Sequence, residues 1–347
     1  MQAITYSRLV SLLLILFVLF ALTVPNLAQT PSSTSRPRKV FTEQEEEPVD
    51  ILRFDTELVT VDVTATDAEG RPVRNLRPEN FKLFSDGVEQ KISFFHIERR
   101  NGEPRPLAIV FAIDVSGSIT PDEINRIRQA LQLFSKQLAA HKVVYAVMAF
   151  GMRVKTLQKF TDNPKKLDEA LEHISQDPAT GLSTHTYDAV DDAIRLLVRQ
   201  APKTRERRIL RRAVLVVTDG FPVGDTVSPP TVIERANAAD VSVFVVTVPS
   251  YSRSLASTNQ TPLPTPLDVS GLAELTGGRN VYANQEDYGP LFRALAEEVS
   301  SAYVLAFYPP EDKRTDGKLH SIKVEGPPGL TLRQSRSDYR AVKNAGR

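Results

Sequence analysis

Three predominantly apolar runs constrain the fold of this chain most, because each has the length of one strand and none has a regular alternation of apolar and polar residues. They are Leu107–Ile113, Ala213–Thr218 and Val241–Val248. Strands that are apolar at every position are typical of a parallel sheet covered by helices on both faces. Stretches with helical periodicity, such as Pro121–Ala140, separate the runs. This alternation predicts a doubly wound, mostly parallel α/β domain over residues 104–300.

The segments on either side of this domain have a different pattern. Residues 50–103 and 301–342 contain short alternating runs divided by turn residues, which is typical of antiparallel strands. Neither segment has enough apolar residues to form a stable unit alone. Since the ends of an inserted doubly wound domain can lie close together, we predict that the two segments pair in one small β-sandwich.

The N-terminal region has the layout of an export signal. Arg8 precedes the apolar stretch Leu9–Val24, and Ala28 provides a small residue at a cleavage position. Residues 1–28 are therefore predicted to be a signal peptide or an uncleaved anchor, since the stretch is slightly shorter than the roughly 20 residues of a spanning helix. Residues 29–49, rich in Ser, Thr, Pro and Glu, are predicted to be a disordered linker.

Charge and cysteine content narrow the class of protein. The formal net charge is +1 and there is no cysteine. A nearly neutral chain does not indicate nucleic-acid binding, and the basic run Lys203–Arg212 is predicted to be a solvated loop. Without cysteine, neither a disulfide nor a lipidated cysteine is available. Together with the export signal, the lack of cysteine favours a bacterial exported protein that is periplasmic, envelope-associated or secreted, with membrane contact only through an N-terminal anchor.

Polar side chains follow the apolar strands at the points where those strands end. Asp114, Ser116 and Ser118 come after the first run, Asp219 follows the second, and Thr184 precedes a predicted helix. Ligands of open α/β sheets bind outside the carboxyl ends of the strands, so these five side chains are predicted to face one edge. Carboxylates and hydroxyls are the hard oxygen ligands of Mg²⁺, Mn²⁺ or Ca²⁺, whereas Zn²⁺ prefers histidine and cysteine.

The order of these elements resembles the von Willebrand factor type A domain with its metal-ion-dependent adhesion site. The resemblance extends over roughly Arg105 to Val299 and is closer to bacterial exported proteins that embed such a domain between β segments. It implies that Ser116, Ser118 and Thr184 ligate a divalent cation directly in some states, and that Asp114 and Asp219 do so directly or through water. The implied function is non-enzymatic adhesion or scaffolding, in which a protein ligand supplies an acidic side chain to the metal.

Two other interpretations remain open at this point. The chain could be a structural envelope module with a non-functional metal site, since serines after strands often cap helices and Asp-Gly is common in turns. A Mg²⁺-dependent phosphotransferase using Asp114 as nucleophile is less favoured, because Ser116 stands where a second acid is needed. Near Thr184, we expect His185 to be solvated, Asp188 to cap or buttress its helix, and Asp225 to be a loop residue.

Overall fold

The computed structural model describes residues 58–97, 105–175, 184–205, 208–220, 222–249, 271–283, 287–300 and 303–341. The predicted signal or anchor segment, 1–28, and the predicted linker, 29–49, lie outside these residues. Among the helices in the described ranges, none has both the length and the apolar character needed to cross a bilayer.

The strands of the described ranges are, in chain order, β1 (Val59–Thr66), β2 (Lys82–Ser85), β3 (Val88–Gln90), β4 (Phe94–Ile97), β5 (Leu107–Asp114), β6 (Val144–Phe150), β7 (Val154–Thr161), β8 (Thr204–Arg205), β9 (Arg208–Ile209), β10 (Arg211–Thr218), β11 (Val241–Thr247), β12 (Asn280–Tyr282), β13 (Tyr303–Phe307), β14 (Leu319–Glu325), β15 (Thr331–Gln334) and β16 (Asp338–Arg340). The α-helices are α1 (Pro121–Gln137), α2 (Pro164–Glu172), α3 (Thr186–Gln200), α4 (Pro229–Ala238), α5 (Leu272–Leu275), α6 (Gly289–Val299) and α7 (Glu311–Arg314). Single 3₁₀ turns occur at Pro78–Asn80 and Ala139–His141.

The central sheet has the strand order β12-β11-β10-β5-β6-β7 in the described part of the chain. All of its neighbouring strands are parallel except β6 and β7, which form an antiparallel pair at one edge. β5, β6 and β11 are buried at every position, as expected for apolar strands covered on both faces. The predicted doubly wound, mostly parallel α/β domain is confirmed.

Helices cover both faces of this sheet. α1, α2 and α6 pack on one face, where Phe134 makes edge contacts with Phe111 at 5.7 Å and Phe292 at 6.4 Å between ring centroids. α3, α4 and α5 pack on the other face. A capping box begins α1, since Thr120 Oγ1 accepts from Glu123 N at 3.2 Å and Glu123 Oε2 accepts from Thr120 N at 3.0 Å. This cap sets where the turn after β5 ends and the helix starts.

The two flanking segments form a β-sandwich, as predicted. One sheet has the order β15-β1-β13-β4 and the other β16-β14-β2-β3, so each sheet contains strands from both flanks. The pairing is antiparallel, with Val61 opposite Leu305 and Leu83 opposite Val324. These four side chains are buried in one apolar cluster between the sheets. Because each sheet needs strands from both segments, neither flank can form the sandwich alone.

The basic run Lys203–Arg212 differs from its prediction. It begins as the short hairpin β8–β9 and then enters the central sheet, where Arg211 is 3% exposed. Arg211 Nη1 donates to Val299 O at 2.6 Å, and its Nε lies 3.6 Å from the Asp62 carboxylate of the sandwich. Arg105 Nη1 contacts both oxygens of the same carboxylate, at 3.0 and 2.9 Å. Arg211, near the end of the run, is therefore a buried ion-pair partner of Asp62 at the junction with the sandwich, and this part of the run is not a solvated loop.

Candidate metal centre

The polar residues that follow the strands gather at the carboxyl edge of the central sheet. Asp114 is the last residue of β5, and Asp219 comes directly after the end of β10. These two strands are parallel neighbours in register, with Ile113 opposite Val217. Parallel neighbours end on the same side of a sheet, so the two carboxylates belong to one edge.

The Asp114 carboxylate is fully buried and held from two sides. Its Oδ1 accepts from the backbone N–H of Ser116 at 2.8 Å, and its Oδ2 accepts from Thr218 Oγ1 at 2.8 Å. Thr218 Oγ1 in turn accepts from Gly220 N at 3.2 Å, in the turn that contains Asp219. Thr218 therefore positions Asp114, a role that was not predicted from the sequence. Its only signal there was a hydroxyl at the end of the apolar run Ala213–Val217.

The two serines of the turn after β5 present their hydroxyls together. Ser116 Oγ and Ser118 Oγ are 3.0 Å apart. Ser116 is buried and Ser118 is half-buried, so the pair extends from the protein interior toward the surface. Ile119 N donates to Ser116 O at 3.1 Å and closes the turn between them. The turn thus places two neighbouring hydroxyl groups directly after the Asp114 carboxylate.

Thr184 is attached to the same edge through the backbone. It is 2% exposed, and the next residue, His185, donates its N–H to Gly151 O at 3.0 Å, just beyond the end of β6. Thr184 O accepts from Val223 N at 2.8 Å, in the segment after β10. Because β6 and β10 flank β5, these bonds link the backbone at Thr184 and His185 to the segments that follow both neighbours of the strand that ends in Asp114.

Electrostatics set Asp114 apart from an ordinary carboxylate. Burial raises its pKa to about 6, and the negative charge of Asp219 contributes to the increase. The hydrogen bonds from Ser116 and Thr218 act in the opposite direction and offset only part of it. Two buried carboxylates that share a site repel each other, and a cation between them removes that repulsion.

The donor set fits a hard divalent cation. Its two carboxylates and three hydroxyls are oxygen ligands of the kind that Mg²⁺, Mn²⁺ or Ca²⁺ prefers. No group of three or more His, Cys, Asp or Glu in the described ranges could hold a metal ion, so a cation at this edge would depend on the hydroxyls. Five protein ligands would leave one position of an octahedral Mg²⁺ site open.

A second layer of contacts ties α3 to the segment after β10. Asp188 was expected to cap or buttress its own helix. Its Oδ1 accepts from Val227 N at 2.8 Å and from Thr226 N at 3.0 Å, so it joins α3 to the segment after β10. His185 was expected to be solvated but is half-buried, with Nδ1 3.2 Å from Asp188 Oδ2. Asp225, interpreted from sequence as a loop residue, accepts from Asp188 N at 2.9 Å and so caps α3 from outside. Sequence alone gave no signal for this cap.

One family model matches part of the chain. The family model of the von Willebrand factor type A domain matches residues 108–267. Integrin alpha-M of Mus musculus is 26% identical over 143 residues, which are 40% of this chain and 12% of integrin alpha-M. The matching segment therefore corresponds to a small part of that relative.

Three solved structures also match part of the chain, at lower sequence identity. BatB from Bacteroides thetaiotaomicron is 19% identical, with a TM-score of 0.42, and the match covers 56% of this chain and 97% of BatB. An aerotolerance-related membrane protein from Bacteroides fragilis is 14% identical, with a TM-score of 0.40 and coverage of 56% and 98%. The SpRpn10 VWA domain is 13% identical, with a TM-score of 0.37 and coverage of 53% and 93%.

Proposed function

Because the chain carries a von Willebrand factor type A domain, we propose that it binds a protein ligand through a divalent cation at the carboxyl edge of its central sheet. The proposed metal ligands are Asp114, Ser116, Ser118, Thr184 and Asp219. The observation that carries this proposal is the buried Asp114 carboxylate, whose negative charge is disfavoured by burial and by Asp219. A cation at this position would stabilise both carboxylates.

The chemistry of the ligands suggests what such a site would bind. Two carboxylates balance the charge of a divalent cation and three neutral hydroxyls add none, so the site would have no excess negative charge to repel a further anion. The open coordination position would take an acidic side chain of the partner. The Ser116–Ser118 turn supports this orientation, because Ser118 is the half-buried member of the pair and lies nearer to solvent. Mg²⁺ is the proposed ion, with Mn²⁺ or Ca²⁺ as alternatives of the same chemical class.

The cellular role proposed with this site is non-enzymatic adhesion or scaffolding by an exported protein. One feature of the sequence supports export, because residues 1–28 have the pattern of a signal peptide or anchor. The absence of cysteine from the chain of 347 residues fits a bacterial envelope better than a small animal extracellular domain. The location would be periplasmic, envelope-associated or secreted.

One observation favours a second candidate, a structural module in which the metal site does not function. The Asp114 carboxylate already accepts hydrogen bonds from Ser116 N and Thr218 Oγ1, which are contacts that could serve the fold alone. The two candidates differ in one measurable property. Only the adhesion module binds a divalent cation with useful affinity.

Calorimetric titration of Mg²⁺ and Mn²⁺ into the purified protein tests the proposal. We expect saturable binding that is lost in Asp219→Ala and Asp114→Asn, since each variant removes a negative charge from the site. Glu169→Ala is the matched control, because Glu169 is an exposed carboxylate on α2. Absence of binding by the unmodified protein, or equal binding by all variants, would support the structural module instead.

A pull-down then tests the protein ligand. Immobilised protein is incubated with envelope extract in Mg²⁺, with or without chelator. Partners that elute with chelator and are not captured by Asp219→Ala support metal-dependent adhesion. Capture that is indifferent to chelator contradicts it.

A further inference from the structure

A basic groove lies between the C-terminal halves of α3 and α4, close to the start of β10. It has a volume of about 460 Å³. Four arginines line it, namely Arg195, Arg199, Arg212 and Arg235. We call this feature the basic groove.

The basic groove is far from the candidate metal centre. β10 is 8 residues long, or about 26 Å at about 3.3 Å per residue. Since Arg212 lies near the beginning of β10 and the candidate metal centre lies beyond its end, the two features are far apart.

A buried carboxylate organises two of these arginines. Asp191 is 2% exposed, and its Oδ2 lies 2.8 Å from Arg195 Nη2 while its Oδ1 lies 2.6 Å from Arg235 Nη1. Each guanidinium has five N–H donors, so one contact to Asp191 leaves several donors for other partners. Both arginine side chains remain more than two-fifths exposed, at 45% and 42%. Asp191 therefore holds two guanidinium groups side by side at the protein surface.

The other two arginines add donors and positive charge. Arg212 Nη1 donates to Ala239 O at 3.0 Å, and its buried Nε has no hydrogen-bond acceptor among the described residues. Arg199 is exposed in the last turn of α3. The neighbouring carboxylates on α3 are Asp191 and Asp192, and Asp192 interacts electrostatically with Arg195 and Arg199. Two other carboxylates nearby, Glu234 and Asp240, pair with arginines outside the groove, Arg340 and Arg336. The four guanidinium groups of the basic groove are therefore balanced only by Asp191 and Asp192, and the groove keeps an excess of positive charge.

The groove also has an apolar side. Val198, one turn from Ile194 on α3, lines it and is 47% exposed. Guanidinium groups bind carboxylates with paired hydrogen bonds. A concave site with an apolar wall fits the side chains of a peptide better than it fits a flat lipid surface. We propose that the basic groove binds an acidic peptide segment of a partner protein, with carboxylates at the arginines and an aliphatic side chain against Val198. This contact is separate from the cation-dependent site and does not require metal.

Fluorescence anisotropy with a labelled octaglutamate peptide tests the proposal, with chelator present throughout and octaglutamine as the uncharged comparison. We expect the protein to bind octaglutamate and not octaglutamine. Arg199→Glu should weaken binding about tenfold or more, which is equivalent to about 1.4 kcal/mol. Arg199 is the chosen position because Arg195 and Arg235 neutralise the buried Asp191, and their removal would disturb the fold.

Two further variants make the result specific. Arg293→Glu makes the same change of charge at an exposed position on α6, in the opposite helix layer, and should leave the affinity within about twofold, a difference below about 0.5 kcal/mol. Arg199→Lys keeps the charge but loses the guanidinium fork, so its affinity should lie between those of the unmodified protein and Arg199→Glu. Failure of the unmodified protein to bind octaglutamate would overturn the proposal.

Two other outcomes would also overturn it. Equal weakening by Arg199→Glu and Arg293→Glu would mean that only net charge matters. Binding to phosphatidylglycerol vesicles without binding to octaglutamate would assign the groove to a membrane surface. Because chelator is present in every measurement, these results are independent of the proposed metal site.

Discussion

Replacing Asp114 with asparagine should stabilise the metal-free protein, although Asp114 is fully buried. The substitution keeps the shape of the side chain, and the amide can accept from Ser116 N and donate to Thr218 Oγ1. It removes a charge that burial and Asp219 both disfavour. The pKa of Asp114 is raised from 3.8 to about 6. That difference corresponds to about 3 kcal/mol, because each pKa unit is worth about 1.4 kcal/mol.

The sign of this effect depends on pH. In the folded protein the ionised form of Asp114 is disfavoured, so the native state binds a proton more tightly than the unfolded chain does. The cost to stability is therefore complete above about pH 6 and disappears as the pH falls through 3.8. In chelator at about pH 8, Asp114→Asn should raise the free energy of unfolding by up to about 3 kcal/mol. Below about pH 4 the two proteins should be equally stable.

Metal should nearly cancel this difference in stability. A ligand present at 100 times its dissociation constant stabilises the native state by about 2.7 kcal/mol. Mg²⁺ at that level should stabilise the unmodified protein and have no effect on Asp114→Asn, so the advantage of the variant should nearly vanish. Urea unfolding followed by far-ultraviolet circular dichroism measures both effects, with Glu169→Ala as the control. A variant that is less stable in chelator at about pH 8, or whose difference does not change with pH, would refute this reasoning.

Three further predictions concern contacts outside the proposed ligands. Asp188→Ala should destabilise the protein by about 1 to 3 kcal/mol, because the backbone donors that Asp188 satisfies lose their acceptor. It should also weaken Mg²⁺ binding in calorimetry, and an unchanged Mg²⁺ affinity would show that this contact does not support the metal site. His320 is desolvated, but its contacts with two carboxylates raise its pKa, so its stabilising effect should be complete below about pH 6.5 and should decrease as the pH rises through the raised value. A pH series of urea midpoints for His320→Gln measures this, and a constant difference from the unmodified protein would contradict it. Arg105→Ala should lower the free energy of unfolding in urea by roughly 3 to 5 kcal/mol, because it removes a partner of the buried Asp62. Arg71→Ala, at an exposed ion pair, should lower it by less than about 1 kcal/mol. Equal losses would count against a buried ion pair at the junction.

The architecture could be predicted from the sequence because the signals for it are local. An apolar run such as Leu107–Ile113 contains in itself the information that both of its faces are buried. The pairing of the two flanks followed from a general requirement for buried apolar surface, and β1 lying beside β13 confirms it. The position of Asp114 and Asp219 at strand ends could likewise be read from the chain.

What only the tertiary structure decided depends on which distant residues become neighbours. Arg211 looked solvated because it belongs to a basic run, yet its place in β10 brings it to Asp62 and buries it. Thr218 became a partner of Asp114 because β10 lies next to β5. The raised pKa of Asp114 likewise arises from the depth of the site and from a second carboxylate on another strand. Composition and periodicity describe single segments, whereas hydrogen bonding and electrostatic energy depend on distances between segments, and only the packed chain sets those distances.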